Sequence, residues 1–164
     1  MTWAAFLQSL YDSAVGSGIR ESSVLFPSIE SVHVLMATTV VGSIAIVDLR
    51  LIGYASHRRG ARQLILDLLP YTWAAFALAV VTGSLLFTSN ATNYAANTPF
   101  LCKMCLLVLA GINMAIFHLT AYRRISEWDD ALPPPRAARI AGVTSLTLWI
   151  VIVFLGRWIG FTVQ

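Results

Sequence analysis

The chain has 164 residues, 57% of them hydrophobic and 12% charged, with a mean hydropathy of +0.73. Soluble domains carry about 25% charged residues, so there is too little charge here to build a water-facing surface, and lipid must cover much of the exterior. The net charge of +3 is gathered in a few loop clusters, which argues against a nucleic-acid partner, and two cysteines are too few for a disulfide framework.

The first residues, MTWAAFLQSLYDSA, lack a basic stretch followed by an apolar core and a cleavage site, so no signal peptide is expected. Trp3, Phe6, Leu7, Leu10, Tyr11 and Ala14 recur at i, i+3, i+4, i+7, i+8 and i+11, one face of an amphipathic helix. The pattern predicts a continuous helix lying in the membrane interface, linked to the first span through Gly18 and Pro27. Four apolar stretches then reach the roughly 20 residues that a bilayer requires, at about 29–52, 69–88, 100–122 and 140–161. Short loops make neighbouring spans antiparallel. The fold class expected is an all-α membrane protein, a single four-span bundle over residues 1–164 with an N-terminal interfacial helix.

The loops fix the expected orientation. Arg50, Arg58, Arg59, Arg62, Arg123, Arg124, Arg136 and Arg139 fall at the first and third loops, whereas Arg20, Lys103 and Arg157 lie toward the other side. By the positive-inside rule the arginine-rich loops are cytoplasmic and both termini face outward. Small residues Ala75, Ala79 and Gly83 in the second span, and Gly156 and Gly160 in the fourth, let backbones approach, whether within the bundle, between the subunits of a homo-oligomer, or around a flat cofactor.

Ionisable residues inside spans usually face a partner, a cavity or a cofactor. His33 lies near the outer end of the first span and His118 near the inner end of the third, separated by about 20 Å along the membrane normal at roughly 1.5 Å per residue. Two imidazoles on one ion lie on the order of 4 Å apart, so these two serve separate centres. Two histidines at opposite depths suit a pair of haem groups stacked across the bilayer. Arg50, Arg123, Arg124 and Arg139 are candidate propionate partners at the inner level, and Lys103 and Arg157 at the outer. Met104 and His57 are candidate second axial ligands. The alternative is that each histidine only joins helices, with Asn113 or Thr38 as partner. Arg50 and Asp48 read as an interfacial anchor and its partner. Glu30, three residues before His33, makes a single Glu-x-x-His where di-iron bundles need two; it suits orienting the His33 ring, pairing with Arg157, or carrying protons for a quinone.

Cys102 and Cys105, in "CKMC" at the outer start of the third span, form a competing pattern, since a helix N-terminus activates thiols. It resembles the quinone-linked disulfide-forming enzymes of bacterial membranes, which need a second cysteine pair that this chain lacks. Histidine does not follow the second cysteine, so c-type haem attachment is excluded.

The segments "IRES…LFPSIESVHVL", "GSIAIVDLRLIG", "LPYTWAAFALAVVTGSLLF", "FHLTAYRR…WD" and "GRWIG" resemble, in that order, a family of small four-span bacterial inner-membrane proteins known as a domain of unknown function. The placing of His33 and His118 within these motifs is similar to that of the ligands in transmembrane b-type cytochromes. The resemblance implies a bacterial inner membrane and haem at both histidines. The expectation is a b-type haem protein with two haems per subunit, carrying electrons across or along the membrane, with a quinone or a redox protein as possible partner. A thiol–quinone oxidoreductase and a non-catalytic scaffold or permease stand as rivals.

Overall fold

The computed structural model describes residues 2–54, 59–129 and 133–163. Its elements are helices: α1 (Trp3–Tyr11), α2 (Ala14–Glu21), α3 (Leu25–Ile52), α4 (Ala61–Ser89), α5 (Ala91–Ala96), α6 (Thr98–Leu119), α7 (Ile125–Trp128) and α8 (Arg136–Thr162), with a 3₁₀ turn at Tyr122–Arg124. No strand occurs among the described residues. Four helices, α3, α4, α6 with its continuation to Trp128, and α8, are long and apolar enough to cross a membrane. Their outward faces carry Leu35, Val81, Val108, Ile116, Ile150 and Phe154, all exposed, the surface that hydrocarbon covers.

The amphipathic N-terminal stretch is two helices rather than one. The Ser13 hydroxyl accepts from the Gly16 amide at 3.0 Å and starts a new helix, because a serine at that position competes with helix continuation by capping. Gly18 therefore lies inside α2, and Pro27 lies in the first turn of α3, where its missing N–H costs nothing. The pair packs on α5 and on the C-terminal end of α4; this end of the bundle is termed outer, and the end with the arginine-rich loops inner, as labels for the two ends. A Cβ on Gly16 would sit 2.7 Å from the Leu10 carbonyl and 2.9 Å from that of Thr88, so only glycine permits this approach. Arg20 fastens the contact: its guanidinium donates to the Ser89 carbonyl (2.9 Å) and the Tyr11 carbonyl (3.1 Å) and stacks on the Tyr11 ring. It thereby serves a carbonyl at the C-terminus of α4.

The spans form a ring with one seam. α3 packs on α4 and α8, and α8 packs on α6, whereas α4 and α6 do not pack along their lengths. At the outer end the seam is closed by Phe87 of α4 stacked on Phe100 of α6, with Tyr94 of α5 against both. Burial pushes the Tyr94 hydroxyl above the ordinary phenol pKa, and the charge of Glu30 adds to that rise. At the inner end it is closed by a core of Leu51, Ala61, Ile65, Phe117, Ala121, Ile125, Trp128 and Ala138, with the Trp128 indole N–H donating to the Ala121 carbonyl at 3.0 Å.

The inner end is locked by one arginine. α3 terminates at Gly53, whose φ of +86° suits the left-handed cap that glycine adopts freely. One turn earlier Arg50, 1% exposed, donates from Nε to the Arg59 carbonyl (3.0 Å) and from Nη2 to the Asp129 carbonyl (2.7 Å). The Asp129 carboxylate in turn accepts from the Arg62 amide at 2.7 Å and caps the start of α4. Both inner loops therefore hang on Arg50. This corrects the reading of Arg50 as an interfacial anchor paired with Asp48: the two lie two positions apart, on opposite helix faces, and each leaves a buried atom, Asp48 Oδ2 and Arg50 Nη1, without a partner.

A hydrogen bond from a charged donor contributes about 1.5–3 kcal/mol. Arg50→Ala is accordingly expected to lower stability by roughly 3 kcal/mol, measured as denaturant unfolding in detergent micelles. A loss indistinguishable from zero would show that the inner loops hold themselves.

Candidate functional sites at two depths

His33 sits between α3 and α4. Its Nδ1 lies 3.0 Å from the Ala79 carbonyl and 3.1 Å from Thr82 Oγ1. The carbonyl can only accept, so Nδ1 carries the proton and Nε2 keeps its lone pair. Thr82 is committed as a donor to the carbonyl of Leu78 at 2.7 Å, consistent with its oxygen accepting from the ring. A Cβ on Gly83 would meet His33 Cε1 at 3.0 Å, so the Ala75–Ala79–Gly83 stripe turns toward α3 and makes the bed for the imidazole. Thr38 donates within its own helix, to Val34, and Asn113 donates to the Ala141 carbonyl on α8. Neither partners a histidine.

The charges that act on His33 are Lys103 and Glu30. Lys103 is half-buried against Gly156 of α8, where a Cβ would lie 3.4 Å from Nζ. Met104 is the next residue along α6, turned about 100° away by the helical repeat, and is exposed. Lys103 thus brings a charge to bear on His33, while Met104 presents an exposed side chain. Arg157 lies over the Phe161 ring at 5.2 Å, on the exposed side, away from any pairing with Glu30.

His118 lies at the other depth. Its Nδ1 lies 2.9 Å from the Met114 carbonyl one turn back, which again places the proton on Nδ1 and leaves Nε2 free. The ring packs against Tyr122 and Phe117. It lines a cavity of about 180 Å³ in the seam between α4 and α6, shared with Asp48, Thr72, Trp73, Asn113, Ser145 and Trp149. Asp48 is thereby level with His118 and fifteen residues along α3 from His33, about 22 Å at the helical rise. The two imidazoles belong to different halves of the bundle.

Asp48 is the residue that sequence reasoning misplaced. It is 4% exposed, shares the cavity wall with Ser145, and leaves Oδ2 unpartnered. Its signal in the sequence is an acidic residue inside an apolar run, which the adjacent arginine disguised as half of a surface pair. Of the basic residues expected at the inner level, Arg123, Arg124 and Arg139 are exposed and free to meet an anionic group, whereas Arg50 is consumed by the loops. His57 and Arg58 lie outside the described residues. Cys102 and Cys105 are both free and exposed. No group of three or more His, Cys, Asp or Glu side chains capable of holding a metal ion occurs among the described residues.

A family model described as a family of unknown function (DUF6644) matches residues 13–162. No curated protein and no solved structure matches the chain.

Replacing Gly83 by alanine forces the His33 ring to move. Overpacking costs about 1–3 kcal/mol, against a gain of about 1 kcal/mol from helix propensity. Gly83→Ala is therefore expected to lower the unfolding midpoint in detergent, and Gly42→Ala, whose Cβ meets nothing within 4 Å, to raise it. Equal stabilisation by both would show that His33 is not held against α4.

Proposed function

The chain belongs to the family of unknown function DUF6644, whose description names no activity, and from the geometry of its two histidines we propose that it is a membrane-embedded electron-transfer protein binding b-type haem at His33 and at His118. The observation that carries this is shared by both sites. Each imidazole commits Nδ1–H to a main-chain carbonyl and presents Nε2 unused. Metal-ligating histidines are held in that way, the outer hydrogen bond fixing tautomer and ring orientation and raising ligand basicity. When bound, haem supplies one-electron exchange between ferric and ferrous iron.

The donor set fits one protein ligand per centre. At the inner site His118 stands at the rim of the seam, where it would carry a haem outside the cavity, and Arg123, Arg124 and Arg139 supply exposed cations for its carboxylates. At the outer site Lys103 is a cation whose charge acts on His33, and Arg157 is an exposed one. Each histidine would hold its iron, and Met104, His57 or a residue from another subunit of a homo-oligomer would be the candidate for a further ligand. The arginine-rich loops favour an inner-membrane protein with both termini outside, exchanging electrons with a redox protein or a quinone.

One observation favours the scaffold reading: the His33 hydrogen bonds already bridge α3 to α4. The two readings separate in one experiment. For protein purified from cells supplied with a haem precursor, a pyridine haemochrome assay is expected to give two haems per chain. His33→Ala and His118→Ala should each remove one. A haem-free protein that merely loses stability on His33→Ala would establish the scaffold instead.

A further inference from the structure

The cavity between α4 and α6 has a chemistry that the histidine sites do not use. A dry cavity of about 150 Å³ lined by apolar side chains is enough to bind one benzene ring, and this one, at about 180 Å³, is of that size. It holds a single six-membered ring and not a four-pyrrole macrocycle, so it is a compartment separate from any haem carried at its rim by His118. Its walls are mostly apolar, with Trp73, Phe76 and Trp149 supplying aromatic surface and Leu68, Leu69 and Leu107 the remainder. All four spans line it, and α4 and α6 do not pack along their lengths, so a lipid-soluble ring would reach it from the membrane through the seam.

The polar content is sparse and mostly spoken for. Thr72 donates to Ser43 at 2.8 Å, Ser43 to the Val40 carbonyl at 2.9 Å, and Asn113 to the Ala141 carbonyl at 3.0 Å. Apart from His118 Nε2 at the rim, the exception is Asp48, a carboxyl side chain in the cavity wall that is 4% exposed and has Oδ2 buried without a partner. A buried polar atom left unmatched by the protein calls for a bound group to match it. The ligand is thus an apolar ring that brings one hydrogen-bonding oxygen to a carboxyl.

We infer that the seam cavity binds the ring of a lipid-soluble hydroquinone or quinone, with Asp48 meeting one ring oxygen and Trp73 and Trp149 flanking the ring. A carboxylate accepts from a hydroquinone O–H, and a protonated carboxyl donates to a quinone carbonyl, so one side chain holds either redox form. The choice of a quinone among ring-bearing lipids rests on the electron-transfer reading; the cavity and its unmatched carboxyl do not.

Two tryptophans in the wall make binding visible. Purified protein in detergent micelles, both as isolated and stripped of haem, is titrated with a decyl-tailed benzohydroquinone while tryptophan fluorescence is followed. Saturable quenching is expected in both preparations, which separates this site from the haem sites. Asp48→Leu keeps a similar volume but removes every hydrogen-bonding atom of the side chain and should weaken binding at least tenfold. Gly111→Leu, at a wall position where a new Cβ meets nothing within 4 Å, should fill the cavity and abolish saturation. Helical content and unfolding midpoint are read in parallel to confirm that each variant folds. Wild-type affinity in either folded variant, or quenching that never saturates, overturns the assignment. If a decyl-tailed phenol lacking redox chemistry binds as tightly, the quinone is overturned as the cavity's intended occupant.

Discussion

An imidazole N–H donated to a main-chain carbonyl is the interaction on which the functional account depends. A neutral histidine has one donor and one acceptor nitrogen. In both intramembrane histidines the donor is spent on the backbone, at Ala79 for His33 and at Met114 for His118. In hydrocarbon an unused acceptor finds no water to satisfy it, so a lone pair left over at each of two depths points to something that fills it. Because some 22 Å of helix α3 separates the levels, no single ion satisfies both.

Packing explains why the two levels differ in character. The outer histidine lies where small residues bring α3 and α4 together, with Gly83 under its ring. The inner one lies where α4 and α6 fail to meet and leave a cavity. That gap persists because the pair is joined only at its ends, by the Phe87–Tyr94–Phe100 cluster outside and by the Trp128 core inside. Arg50 stabilises the inner closure by satisfying carbonyls from both loops. A buried cation that binds only neutral carbonyls is costly, and its presence is consistent with the loops needing to be held in one place.

The sequence made the spans legible because hydropathy over 20 residues is a strong signal. Their ends were less so. α4 begins at Ala61, eight residues before its apolar run, since Arg62, Gln63 and Asp67 line an exposed face while Ala61, Leu64 and Ile65 are buried; a span average hides such a face. The N-terminal periodicity was read through the break at Asp12–Ser13 because a serine cap and a serine on a helix surface look alike without coordinates. The opposite depths of the two histidines followed from counting residues, and the structure places them in opposite halves. The partners of those histidines, however, are backbone atoms, which every residue possesses and no pattern marks. Asp48 was misassigned because proximity in sequence to Arg50 suggested a pair, when two positions along a helix point opposite ways. The cavity arises from two helices that do not touch, a property of no single segment.

The measurement that tests the account most directly is a haemin titration of haem-free, detergent-solubilised protein, followed in the Soret region. The account predicts saturation at two equivalents per chain, falling to one in either His33→Ala or His118→Ala. A spectrum matching haemin in empty micelles at every ratio, or wild-type stoichiometry in both variants, would contradict it.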